Sequence, residues 1–161
     1  MQNTELKFLP FVMSGVTNTG VAGYIGNINV RKFPAQSLTI DIFGNTFYRN
    51  YEFGASDDVG VYWNKEKSPY QNKEHLLYMA TVIQKSLQGR FDYGKKLRAS
   101  QTYDFTVYLP TDSHNEPDYA FMERFIYAVQ KLVIKDVVVW TDKKMKAYRK
   151  IVGRETDTNN A

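Results

Sequence analysis

The chain has 161 residues, no cysteine and two histidines, and its formal net charge is +4. A chain of this length is expected to form about one domain and to bury a core without disulfide or metal cross-links. The lack of cysteine excludes disulfides, zinc–thiolate sites and thiol nucleophiles, and His75 and His114, far apart in sequence, are a poor basis for a metal site or a catalytic triad.

The N-terminal segment bears on where the protein works. Met1–Pro10 lacks the basic stretch and the following apolar run that mark a signal peptide. No apolar run approaches the roughly 20 residues that a membrane-spanning helix needs. We therefore expect a cytoplasmic protein.

Most of the chain before the first helical pattern is expected to form strands, because β-branched and aromatic runs alternate there with glycine-containing turns. One further strand is expected after the first helical pattern. Turns or polar loops are expected at 43–46, 64–72, 91–96 and 112–118. The predicted strands are Ser37–Ile42, Phe47–Phe53, Val59–Trp63 and Tyr103–Leu109.

Two segments have helical periodicity. Apolar residues spaced four, three and four apart predict a helix over Glu74–Leu87, which Gly89 ends. A second helix is expected from Tyr119 to about Val152, with Asp118 as its N-cap. The β-branched run Val137–Trp140 fits a strand as well as a helix, which leaves open a break near Asp136. A disordered tail is expected from Gly153 onward.

These elements predict an α+β fold, with a curved, mostly antiparallel β-sheet, packed helices and a C-terminal helical extension. The expected boundaries are 1–118 for the main domain, 119–152 for the helical segment and 153–161 for the tail.

Basic residues are clustered in two places. Five of them lie between Lys85 and Arg98 against one acid, and six lie between Lys143 and Arg154 with no acid. Local clusters of this kind favour phosphate binding, because each neutralised phosphate releases condensed counterions. A solvated helix face explains the second cluster equally well.

Four sequence motifs follow one another between Leu9 and Glu123. They are Leu9–Val12 with Thr17–Tyr24; Leu38–Ile40 with Gly44, Thr46–Tyr48, Phe53 and Asp58–Tyr62; Phe91–Leu97 with Val107–Pro110; and Tyr119–Glu123. In order and spacing they resemble the target-recognition domains of type I restriction-modification DNA specificity subunits, and of type IIB or IIG-like relatives.

The resemblance implies sequence-specific recognition of double-stranded DNA over residues 1–118, with no catalysis by this chain. It also implies a partner methyltransferase that binds S-adenosylmethionine, and a restriction subunit that could join. Full specificity subunits have two recognition domains, whereas one is visible here. The chain could thus be a half-subunit, a truncated product or an excised domain, and a half-subunit could form a homodimer through residues 119–152.

Residue chemistry selects the candidate DNA contacts. Arg, Lys and Asn read base edges, while cations, hydroxyls and backbone N–H groups hold phosphates. The candidates are Ser14, Thr17, Asn18 and Thr19 in one loop; Arg49 and Asn50 at the second predicted strand; and Arg90, Tyr93, Lys95, Lys96 and Arg98 in a basic loop. Asn18 and Thr19 also fit a simple turn, Tyr93 a core position, and the two lysines plain surface charge.

Two alternatives belong to other functional classes. Pro117-Asp118 with Asp142-Lys143-Lys144 formally fits a magnesium-dependent nuclease that uses Asp118, Asp142 and Lys144, provided that both acids lie at adjacent strand ends. The 12 tyrosines and 10 phenylalanines also fit stacking platforms of a generic nucleic-acid-binding domain, although such residues more often fill a core.

Overall fold

The computed structural model of the chain describes residues 8–26, 30–64 and 72–158, with side chains described as far as Val152. In order, its strands are β1 (Leu9–Val12), β2 (Val21–Ile25), β3 (Lys32–Phe33), β4 (Ser37–Asp41), β5 (Thr46–Arg49), β6 (Phe53–Ala55) and β7 (Val59–Tyr62). Its α-helices are α1 (Lys73–Leu87) and α2 (Tyr119–Thr158), and short 3-10 helices span Thr17–Gly20 and Ala99–Asp104.

The strands form two small sheets. One has the order β2-β1-β6-β3 and the other the order β5-β4-β7. All pairs are antiparallel except β1 with β6, which run parallel. The predicted α+β fold with mostly antiparallel strands is confirmed.

The core lies between the second sheet and α1, with a separate cluster between the two sheets. Leu38 packs with Leu76 and Ala80 of the helix, and Ile40 packs with Leu87 and Leu97. A further cluster joins the two sheets, since Val12 of β1 and Phe53 of β6 pack with Val59 of β7. Full burial of one such side chain contributes about 1.5–3 kcal/mol. The strand β4 is central in its sheet and carries Leu38 and Ile40, which anchor α1.

Helix α1 confirms the predicted helix to within one residue. The side chain of Asn72 caps it by accepting a 2.9 Å hydrogen bond from the His75 N–H. Its C-terminal end packs against the turn between β4 and β5. Gly44 has a φ of +81° there, and a Cβ at this position would lie 2.9 Å from the Leu87 Cβ. Only glycine fits both constraints.

Two predicted strands are wrong in part or in whole. The segment Phe47–Phe53 is divided between β5 and β6, which pair in different sheets. The segment Tyr103–Leu109 begins in a 3-10 helix and continues without pairing to a strand of the described residues. Its alternation of side chains is real, since Phe105 and Val107 are half-buried and Tyr108 is 91% exposed. Alternation shows one-sided burial, which a chain can achieve without a strand partner.

Helix α2 runs without a break through Asp136 as far as Thr158. The ambiguous run Val137–Trp140 is therefore helical, and the segment from Gly153 to Thr158, predicted as disordered, continues the helix. The Asp118 N-cap is confirmed by a 2.8 Å hydrogen bond from the Phe121 N–H to its Oδ1.

The chain divides into two compact units, Met1–Glu123 and Arg124–Ala161. The first holds both sheets and α1, and the second is helical. Most of the loop predicted at 64–72 lies outside the described residues. Among the helices of the described residues, none combines the length and the apolar composition that a membrane crossing requires.

Candidate nucleic-acid interface

The loop between β1 and β2, which spans residues 13–20 and is called the β1–β2 loop, has an unusual backbone. Asn18, Thr19 and Gly20 follow one another with φ values of +47°, +54° and +83°. A β-branched residue such as Thr19 rarely adopts this left-handed conformation, which costs on the order of 1–3 kcal/mol and persists only when its surroundings impose it. The loop therefore needs support from the scaffold.

Asp41, at the end of β4, supplies one support. Its buried carboxylate accepts a 2.9 Å hydrogen bond from the Gly15 N–H through Oδ2. The same group accepts the N–H groups of Phe43 and Asn45 at 2.9 Å through Oδ1, and the Asn45 side-chain amide at 2.8 Å through Oδ2. One carboxylate thus joins the β1–β2 loop to the turn between β4 and β5, residues 42–45.

Arg49, at the end of β5, supplies the second support and is only 1% exposed. Its Nε donates to Thr39 Oγ1 at 3.1 Å, and its Nη1 donates to Thr19 Oγ1 at 3.1 Å and to the Tyr51 hydroxyl at 3.2 Å. Its Nη2 donates to the Thr19 carbonyl at 2.6 Å. A guanidinium that is buried and engaged in this way cannot also lie on a phosphate or a base edge, so the structure does not support the DNA contact predicted for Arg49.

The basic loop, residues 90–98, is a tight turn that projects from the scaffold. The Asp92 Oδ1 accepts the N–H groups of Gly94 at 2.8 Å and Lys95 at 2.9 Å. Tyr93, at the tip of this turn, is 86% exposed, which excludes the core position considered for it. The loop returns to the scaffold at buried Leu97, whose N–H donates to the Ile42 carbonyl at 2.8 Å.

A ring contact brings the basic loop to the turn between β4 and β5. Phe43 and Tyr93 meet edge to face with ring centroids 5.1 Å apart. Because Asp41 binds both the Phe43 and the Gly15 N–H groups, the β1–β2 loop and the basic loop both adjoin this turn. We call them together the three-loop surface.

The remaining candidate residues are mostly accessible. Arg90 is exposed, with its guanidinium 5.5 Å from the Phe105 ring centroid. Lys96 and Ser14 are half-buried, and the Ser14 Oγ has no hydrogen-bond partner among the described residues. Of the Asn18 side chain, one hydrogen bond is described, a 3.4 Å contact to the Val21 carbonyl. The other exposed candidates are Thr17, Asn18, Thr19, Asn50, Lys95 and Arg98.

Asp41 and Phe43 were missed in the sequence as parts of this surface. The signal for Asp41 was present, since an aspartate that precedes a glycine-containing turn commonly accepts backbone N–H groups of that turn. No signal revealed that Phe43 meets Tyr93, because the two residues are 50 positions apart.

The hydroxyl of Tyr48 contacts Gln36, to whose Oε1 it donates a hydrogen bond. Burial raises the pKa of Tyr48, so the hydroxyl stays protonated.

The magnesium-nuclease alternative does not have the geometry that it requires. Asp142 lies within α2 and not at a strand end, and Asp118 serves as the N-cap of the same helix. The Lys144 ammonium lies 4.2 Å from the Trp140 ring centroid. Within the described ranges, no three histidine, aspartate or glutamate side chains are grouped so that they could hold a metal ion.

A rigid scaffold that displays basic, polar and aromatic side chains on adjoining loops defines a candidate nucleic-acid-binding module. Comparison with known proteins specifies the class. Residues 2–138 match the family model of the type I restriction modification DNA specificity domain, and the chain belongs to this family. The resemblance found in the sequence is thereby confirmed.

A curated relative agrees with this assignment. The chain is 27% identical over 129 residues to the type II restriction enzyme BgcI specificity subunit S.BcgI of Heyndrickxia coagulans. The alignment covers 78% of this chain and 37% of that protein, so the chain spans little more than a third of the relative's length. No solved structure shows significant similarity.

Proposed function

We propose that this chain reads double-stranded DNA sequence for a restriction-modification system and that the three-loop surface makes the contact. The observation that carries the proposal is the attachment of the two predicted loops to one turn, residues 42–45, through Asp41 and Phe43. Membership of the DNA specificity domain family supports it independently.

The side chains of this surface suit different parts of a duplex. Arg90, Lys95 and Arg98 are exposed cations that can pair with phosphates. Exposed Asn18 has an amide of the kind that binds adenine in the major groove through two hydrogen bonds. Tyr93 is 86% exposed, so its ring is accessible to bases or sugars in a groove. Phosphate contacts would fix the position and orientation of the protein on the duplex. The loop amides and arginines would contact base edges and so determine the sequence preference.

The chemistry that follows recognition belongs, in this proposal, to partner subunits. A modification methyltransferase would bind S-adenosylmethionine and methylate the site, while this chain, without a catalytic role, positions it on the DNA. A restriction subunit could join the same complex. The similarity of this chain to a specificity subunit of a restriction enzyme supports this division of labour.

Helix α2 is the proposed contact with protein partners, because many of its apolar side chains face solvent. Six of them recur at helical spacing along one side of the helix and form one stripe, in which Lys144 lies between Trp140 and Tyr148: Val129, Val133, Val137, Trp140, Tyr148 and Ile151. Such a stripe is the pattern of a helix that packs on another helix. We propose that the stripe pairs two copies of this chain, which would then read the two halves of a bipartite site.

The same helix is apolar on more than one face near its middle. Leu132, Ile134 and Val139 lie outside the stripe and are 63%, 62% and 45% exposed. A helix that is apolar all round is normally buried. A second copy covers one face only, so we assign these remaining apolar positions to contact with the methyltransferase.

The basic loop gives the first test. Replacing both Lys95 and Lys96 with alanine should weaken binding to every duplex sequence, because cations that contact phosphates contribute without regard to sequence. The slope of log affinity against log salt should become shallower by roughly one unit for each phosphate that the variant no longer neutralises. Fluorescence anisotropy with labelled duplexes over a salt series measures both quantities.

The matched control for this test replaces Lys131 and Lys135 with alanine. Both are exposed lysines of α2 that lie away from the stripe. It removes the same charge and should leave the salt slope unchanged. Equal reductions of affinity in both double variants would show that only net charge matters. Unchanged binding after the Lys95 and Lys96 replacements would remove the basic loop from the DNA contact.

A further inference from the structure

We infer that Arg49 is a positioning residue for DNA recognition, which holds the β1–β2 loop in its strained, binding-ready conformation from beneath. The inference rests on the proposed function in one respect, namely that this loop meets DNA. In this inference Arg49 acts on DNA binding through the β1–β2 loop and not through the direct DNA contact that its residue type suggests.

The strain in the loop calls for such a support. Thr19 has a φ of +54° between two other left-handed residues, and its neighbour Asn18 is exposed. A free loop would escape this conformation, because a β-branched side chain crowds the backbone there. Strained backbone tends to be retained at binding sites, where it fixes the direction of the groups that make contact.

The contacts of Arg49 reach the strained residue twice. Nη2 holds the Thr19 carbonyl at 2.6 Å and Nη1 holds the Thr19 hydroxyl at 3.1 Å. The other hydrogen bonds, to Thr39 and Tyr51, fix the guanidinium on the scaffold. One planar group thus joins a loop residue to two scaffold residues, which a lysine ammonium cannot reproduce because its donors radiate from a single point.

The chemistry of the acceptors around Arg49 allows a geometric role of this side chain to be distinguished from an electrostatic role. All four are uncharged oxygens of hydroxyl or carbonyl groups. Arg49→Lys keeps the positive charge beneath the loop and removes the forked geometry, whereas Arg49→Met removes both. If geometry is what matters, the two variants should resemble each other and differ from the wild type.

The first experiment measures loop order in the full chain without DNA, by amide hydrogen exchange. The reporters are the Met13 N–H, bound to the Gly20 carbonyl at 2.9 Å, and the Val21 N–H, bound to the Asn18 carbonyl. In Arg49→Lys and Arg49→Met both amides should exchange roughly tenfold faster or more, the effect of losing hydrogen bonds to a charged group. The Ile42 N–H, bound to the Asp58 carbonyl across the scaffold, should keep its wild-type exchange rate.

The second experiment measures duplex affinity at a temperature where circular dichroism shows each variant to be folded. Both Arg49 variants should bind roughly tenfold more weakly or worse. Tyr51→Phe removes a single hydrogen bond from the guanidinium and should produce a smaller change in the same direction. Arg124→Met, which removes an exposed arginine from α2, is the matched control and should bind like the wild type.

The outcomes decide the inference separately from the proposed function. Wild-type exchange at Met13 and Val21 in both Arg49 variants would overturn it. A loosened loop with unchanged affinity would also overturn it, because Arg49 would then be merely structural, and so would a lysine variant that matches the wild type. If Arg49→Met does not fold, Arg49→Lys and Tyr51→Phe carry the test. If the wild-type chain itself binds no duplex, the proposed function fails, and the exchange data alone show whether Arg49 holds the loop.

Discussion

Replacement of Asp41 with alanine is expected to lower the free energy of unfolding by about 3 kcal/mol, the largest stability loss that we expect from a single polar side chain of the candidate site. Four N–H donors lose their acceptor at once: those of Gly15, Phe43 and Asn45 and the Asn45 side-chain amide. A hydrogen bond to a charged group contributes about 1.5–3 kcal/mol, and a buried donor left without an acceptor adds a desolvation cost. The bonds share one carboxylate, so their sum is an upper bound.

Urea denaturation of the full chain measures this destabilisation as a lower midpoint at an unchanged slope. Asn45→Ala is the matched control, because it removes one of the four donors and leaves the carboxylate in place. The Asn45→Ala variant should lower the free energy of unfolding by about 1 kcal/mol. A destabilisation below about 1 kcal/mol in Asp41→Ala would contradict the central position that the hydrogen bonds give this residue. Because the same carboxylate holds Gly15 and Phe43, the alanine variant should also bind duplex DNA more weakly.

The second large effect is expected in α2. The wild-type chain should form a dimer, and Val133→Glu combined with Val137→Glu should make it a monomer. Val133 is 58% exposed and Val137 56% exposed in the single chain. In a two-helix seam each substitution occurs twice, so four carboxylates would be buried, each at an effective cost of several kcal/mol. The dimer dissociation constant should therefore rise by roughly a thousandfold or more.

Sedimentation velocity over a range of protein concentrations measures this change. Lys131→Glu with Lys135→Glu is the control, since it adds the same number of glutamates away from the stripe and should stay dimeric. Circular dichroism establishes that both variants keep their helical content. A wild-type chain that stays monomeric at the highest concentration would contradict pairing through α2, and so would a valine double variant that remains a dimer.

What could be foreseen from the sequence depended on the range of the interactions involved. Helix α1 and the Asp118 cap were predictable because spacing within one turn and a capping side chain are local properties. The segment Tyr103–Leu109 was misassigned because alternation reports which side is buried and not whether a neighbouring strand exists. Helix α2 was left open at Val137–Trp140 because β-branched residues fit both structures when partners are unknown.

In the candidate site, too, local features were predictable from the sequence and long-range contacts were not. The two loops were predictable from their glycine, asparagine and basic residues. The role of Arg49 was not, because its burial depends on Thr19, which lies 30 positions earlier. Residue type alone favours DNA contact for an arginine, and only the folded chain shows this guanidinium turned inward. The contact of Phe43 with Tyr93 is likewise a result of tertiary packing and leaves no local trace.

The central claim is that this chain reads DNA sequence. Its most direct test is selection of bound molecules from a pool of duplexes with a randomised central segment, using the full chain at moderate salt. We expect successive rounds to enrich one short motif. Asn18→Ala should weaken or alter that motif, while Lys95→Ala with Lys96→Ala should lower recovery without changing it. Binding with no enriched motif, or no retention of duplex DNA at all, would contradict the claim.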